Sequence, residues 1–168
     1  AAVAFLKTVK SIDPKRIGLI GHSEGGIIAP LAATESRDVK YIVLMAGPGL
    51  TGEHILLRQS ALIASGMGES REAVAKQTGL SKRIYAIVKS EPDNSKARAK
   101  IMAIADRASA SLAPDARKHA HEVAETQAAA LVSPWFRQFL TYDPAPTLRR
   151  VRCPVLAVQG DCDEYGTL

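Results

Sequence analysis

Residues 16–33, RIGLIGHSEGGIIAPLAA, join two apolar patterns through one short turn. Residues 17–20 are a short apolar run bounded by turn residues, the pattern of a strand covered on both faces in a parallel sheet. From Glu24 to about Thr34 the pattern becomes helical, with Pro30 placed to kink it. Between the two lies Gly21-His22-Ser23-Glu24-Gly25, a G-x-S-x-G sequence. A serine hydroxyl is a poor nucleophile until a base takes its proton and donors stabilise the oxyanion that its attack creates. Glycines beside it permit a sharp strand-to-helix turn that lifts the side chain above the sheet. The backbone N–H of Glu24 is then placed to donate to the oxyanion, helped by the positive end of the following helix. Ser23 is therefore the candidate nucleophile.

Outward from this turn, residues 1–12 carry Val3, Phe5, Leu6, Val9 and Ile12 at helical spacing, and Asp13-Pro14-Lys15 breaks that helix. VKYIVLMAG, residues 39–47, reads as a second buried strand. Residues 51 to about 133 read as successive helices, one of them with the stripe Ile101, Ile104, Ala105, Ala108 and Leu112. Ser133 and Pro134 open a further helix as N-cap and first residue. PVLAVQG, residues 154–160, is a third buried strand. Strands alternating with helices predict an α/β parallel sheet with right-handed crossovers. The helical block is too long for a simple crossover and is expected to form a cap over the carboxyl ends of the strands.

Composition narrows the class. With 46% hydrophobic and 23% charged residues, the 168-residue chain has enough apolar content for one domain with a sizeable core, so global disorder is excluded. The longest apolar runs fall short of the ~18 residues of a membrane span, and no signal peptide is seen, so a soluble, cytoplasmic protein is expected. The net charge of +5 is spread among acidic residues and aromatics make up only 5%, which argues against a nucleic-acid surface. Cys153 and Cys162 flank an extended run and stand roughly 25 to 30 Å apart, beyond disulfide reach. No Cys/His cluster offers a metal site, and no cofactor is expected.

The chain resembles the α/β-hydrolase superfamily over nearly its whole length, though only over the central and later part of that fold. SIDPKRIGLIGHSEGGIIAPLAA is similar to its fifth strand, nucleophile and following helix; VKYIVLMAGPG to its sixth strand; and LTYDPAPTLRRVRCPVLAVQGDCD to the approach, seventh strand and acid loop. The resemblance implies a partial α/β-hydrolase fold: three central parallel strands with a helical cap after the second. It divides the chain into a core at 1–50, a cap at 51–143 and a core return at 144–168. It implies ester hydrolysis of a small-molecule substrate through an acyl-enzyme on Ser23, with a peptidase of the same fold as the neighbouring alternative. The family's acid, three residues after the glycine ending strand seven, maps onto Asp163, with Asp161 as rival; the Val-Pro pair usual after it is replaced by EYGTL. His22 is assigned to the substrate pocket with Trp135 and Phe136, and those two aromatics fit packing anchors equally well.

The order Ser, acid, His leaves no histidine after Asp163, and His22, His54, His119 and His121 are poor candidates for the base. No loop supplying a second oxyanion donor precedes Ala1. The expectation is an internal piece of a larger hydrolase, either active with its missing parts or an inert interaction module. Its exposed sheet edges would pair with another copy. A rival class is a dinucleotide-binding domain, because Gly47-Pro48-Gly49-Leu50-Thr51-Gly52 is a G-x-G-x-x-G after a strand. That reading requires another strand soon after the helix, whereas GMGESREAVAKQTG reads as turn and helix.

Overall fold

The three apolar runs become three strands laid side by side. A computed structural model describes residues 1–160. In chain order the elements are α1 (Ala2–Leu6), a 3-10 turn (Pro14–Arg16), β1 (Leu19–His22), α2 (Gly25–Glu35), β2 (Ile42–Met45), α3 (Gly52–Gly66), α4 (Arg71–Ser90), α5 (Asn94–Ala108), α6 (Pro114–Leu131), α7 (Pro134–Thr141), α8 (Ala145–Leu148) and β3 (Val155–Val158). The fold is α/β, a three-stranded parallel sheet with helices, as in a partial α/β-hydrolase fold. The chain forms two compact units, one from Ala1–Thr51 and the segment beginning at Asp143, the other from Gly52–Tyr142.

In the first unit the sheet order is β1-β2-β3, all parallel, with Leu19 opposite Ile42 and Ile42 opposite Val155. Side chains alternate across a strand, so Leu19, Ile42 and Leu44 share one face. There Ala29 of α2, with Val39, Ile42 and Leu44, forms the buried core. A buried side chain the size of Ile42 contributes about 1.5–3 kcal/mol. The strands were expected to be covered on both faces; α2 covers one, over β1 and β2. On the other face Ile20 is 71% and Leu156 58% exposed, and all four residues of β3 are exposed. A second correction concerns the first helix, which stops at Leu6 rather than running to residue 12. It has no side-chain cap, and the hydroxyl of Thr8 donates to the Phe5 carbonyl at 2.7 Å, favouring a turn. Pro30 stays inside α2, fully buried. Cys153 is a free thiol, and Cys162 lies outside the described residues.

The second unit is helical, and α4, α5 and α7 begin at side-chain caps, that of α7 at the expected Ser133. Ser70 Oγ accepts from Ala73 N at 3.1 Å, Asp93 Oδ1 from Ser95 N at 2.8 Å, and Ser133 Oγ from Phe136 N at 3.2 Å with Pro134 in the first turn. Val88, Ala97, Ile101, Ala128, Val132 and Leu140 form its buried core. Leu112, expected to extend the α5 stripe, lies beyond the helix end and is 43% exposed. Arg137 ties this core together. Its guanidinium donates to the Val88 carbonyl, to the Val132 carbonyl at 3.3 Å and to Asn94 Oδ1 at 3.0 Å. It thereby satisfies carbonyls at the C-terminal ends of α4 and α6, which have no partner within their own helices.

Two outcomes follow from these contacts. Arg137→Met keeps much of the side-chain volume but strands the two carbonyls, and should lower unfolding free energy by about 2–3 kcal/mol in urea titration; an unchanged midpoint would remove Arg137 as a tie. The second concerns His121, whose Nδ1 lies 2.8 Å from Asp106 Oδ1. The hydrogen bond and charge of Asp106 raise the imidazole pKa. A raised folded-state pKa means that the pair's contribution is complete below the ordinary value of ~6.5 and fades as pH rises through the folded value. NMR titration should show the His121 midpoint falling in Asp106→Asn.

Candidate active site

The turn after β1 is built by backbone. Ser23 N donates to the Met45 carbonyl at 3.0 Å, carrying the β1–β2 ladder one residue past the strand. The chain then reverses in that one residue: Ser23 has φ 53, and Glu24 already has helical φ −55 and ψ −33. A non-glycine residue in the left-handed region costs about 1–2 kcal/mol, and such residues cluster at functional sites. Ser23 and Glu24 are both exposed. Gly26 N donates to the Ser23 carbonyl at 2.8 Å and Ile27 N to the Glu24 carbonyl at 2.8 Å, closing the first turn of α2. No side chain caps this helix, and its first turn carries no acidic residue, so its positive end opens beside Ser23.

Close backbone crossings force this geometry. A Cβ on Gly21 would stand 2.0 Å from the Gly25 carbonyl oxygen, and one on Gly26 would stand 2.5 Å from Gly47 Cα. Gly25, the last glycine of G-x-S-x-G, has open space where its Cβ would be. The steric need therefore falls on Gly21 and Gly26, the latter outside the pentapeptide. Gly47 supplies the other side of the crossing, so the Gly-Pro-Gly loop packs against the start of α2. The chain past Gly52 runs as α3 and then α4, not as the strand a dinucleotide fold requires.

Parallel sheets bind ligands beyond the carboxyl ends of their strands, and Ser23 sits there on β1. Ala46, the next residue after β2, also has a positive φ, 48, and its N–H donates to the Val158 carbonyl at 2.9 Å. His22 pairs in register with Met45, so Ser23 and Ala46 are corresponding positions on adjacent strands. No sequence signal marks Ala46, because alanine carries no preference for that conformation. A small cavity of about 50 Å³ touches Gly47, Pro48, Val158 and Gln159; it has room for a water rather than an acyl chain.

His22, exposed, is the last residue of β1, and Ser23 and Glu24 form the turn that follows it. Asp161 and Asp163 lie outside the described residues. Trp135 and Phe136 belong to the second unit. Phe136 packs against its core with Tyr85 at 6.0 Å, and Trp135, 54% exposed, stacks on Phe139 at 5.4 Å. His54 and His119 are exposed on α3 and α6, and His121 is held by Asp106. Among the described residues no group of three or more His, Cys, Asp or Glu is placed to hold a metal ion, and no helix is long and apolar enough to cross a membrane.

The family model described as BAAT / Acyl-CoA thioester hydrolase C terminal matches residues 1–113 of the 168. The chain belongs to this family. Its match takes in the whole Ser23 turn, β2 and helices α3 to α5. The BAAT / acyl-CoA thioester hydrolase C-terminal family is α/β-hydrolase-like, in agreement with the parallel sheet and strand-turn-helix, and it marks the chain as a thioester or ester hydrolase-type domain. No curated protein and no solved structure matches the chain.

Substitution of the three glycines separates motif from mechanics. Gly21→Ala and Gly26→Ala should each destabilise by about 1–3 kcal/mol through overpacking. Gly25→Ala should be neutral or stabilising, since alanine is the better helix former. Thermal melts of the three variants read this directly, and a Gly25→Ala as damaging as Gly26→Ala would contradict it.

Proposed function

We propose that the chain is the nucleophile-bearing part of a serine hydrolase that cleaves acyl thioesters, with carboxylic esters as the related class. The observation that carries this reading is Ser23 itself: exposed, left-handed at φ 53, and set between the carboxyl end of β1 and the uncapped start of α2. The family description favours a thioester over a carboxylic ester or a peptide as the bond broken.

In the proposed reaction Ser23 Oγ attacks the carbonyl carbon while a base takes its proton. The oxyanion is held by the Glu24 N–H at the positive end of α2. Collapse of the tetrahedral intermediate breaks the C–S bond, and the thiolate leaves with the proton from the base. Water, deprotonated by the same base, then attacks the acyl-serine; the bond from the carbonyl carbon to Ser23 Oγ breaks, Oγ takes the proton back from the base, and the carboxylic acid is released. We assign the acid that orients the base to Asp163, with Asp161 as its rival. None of His22, His54, His119 and His121 is assigned as the base. We further assign residues 51–143 as a cap insertion in the chain between the two parts of a core, 1–50 and 144–168.

Thiol release from a short acyl thioester, followed with a chromogenic disulfide, tests the reading. Ser23→Ala should lower the rate on the order of 10³-fold or more, and the unmodified chain should prefer the thioester to the matching p-nitrophenyl ester. Equal rates in Ser23→Ala and the unmodified chain would overturn the assignment, and no turnover in either would favour an interaction module.

A further inference from the structure

We propose that the groove between α4 and α5 binds a free single-chain anionic amphiphile, of the class of a fatty-acid carboxylate. On α4, Lys76, Leu80 and Arg83 are spaced four and three residues apart and share one face of the helix. On α5, Ile104, Arg107 and Ala108 do the same. Together with small residues such as Ala73 and Gly79 they line a groove of about 600 Å³, within the range of small-molecule sites.

The groove combines an apolar floor with a cationic rim. No acidic side chain lines it. Lys76, Arg83 and Arg107 make no ion pair among the described residues. Gly79 keeps the floor open, since nothing lies within 4 Å of where its Cβ would stand. An acyl tail along Leu80 and Ile104 would bury apolar surface while its carboxylate meets the three cations. A second copy is a poor occupant, because the chain carries a net charge of +5 and apposed grooves would crowd six unpaired cations. A bilayer is also a poor one, because a planar surface cannot enter the concave space between two helices. The site is formed by the second unit alone and does not rest on the role of Ser23.

Calorimetric titration of the full chain with dodecanoate, kept below its micellar concentration, tests the proposal. Saturable one-site binding is expected, with none for the dodecyltrimethylammonium cation. Gly79→Leu, which fills the floor and favours the helix, should weaken binding at least about tenfold with the helical circular dichroism unchanged. The paired reversal Arg83→Glu with Arg107→Glu should weaken it as much, and Ser23→Ala should leave it unaltered. Binding equal in the groove variants, equal binding of the cation, loss of binding in Ser23→Ala, or binding only to phosphatidylglycerol vesicles would each overturn the proposal.

Discussion

The site depends on how closely the start of α2 approaches the strands it connects. One methyl group on Gly21 would meet the Gly25 carbonyl, and one on Gly26 would meet the Gly47 backbone. At those separations a shift of either segment is unavoidable, and the turn between them has a single residue in which to reverse. That residue is Ser23, and its left-handed conformation is the result. The ladder bond from Ser23 N to the Met45 carbonyl holds the strand side, while the Gly26 and Ile27 amides close the helix side. Serine is exposed there because packing determines the backbone on both sides of it.

Much of this was legible in the sequence, for a physical reason. The strand runs, the serine between glycines and the helical run after it are local patterns, and each agreed with its neighbours. The helix start at Ser133 is equally local, since its cap is a hydrogen bond between residues three apart. What escaped depends on distant partners. The G-x-S-x-G reading gives weight to Gly25, whereas the close contact is made by Gly26 with Gly47, twenty-one positions away along the chain. The positive φ of Ala46 arises where β2 ends beside β3, a juxtaposition that no window around Ala46 contains.

Burial was the least legible property. PVLAVQG is as apolar as a buried strand, yet Val155 through Val158 are exposed, because α2 lies over β1 and β2 and not over β3. Sequence hydrophobicity records what a strand is suited to pack against, and the neighbours decide whether it does. The same distinction applies to α7: Phe136 is drawn into the core of the helical unit beside Tyr85, while Trp135 on the same short helix stays largely exposed against Phe139. An aromatic pair in sequence thus separates into two environments.

The central claim is that this turn makes Ser23, rather than the free thiol of Cys153, the residue that accepts an acyl group. Rapid-quench mass spectrometry of the chain mixed with a short acyl thioester, followed by peptide mapping, measures that transfer directly. The account predicts one acyl adduct on the peptide carrying Ser23. An adduct on Cys153, or turnover with no covalent adduct, would contradict it.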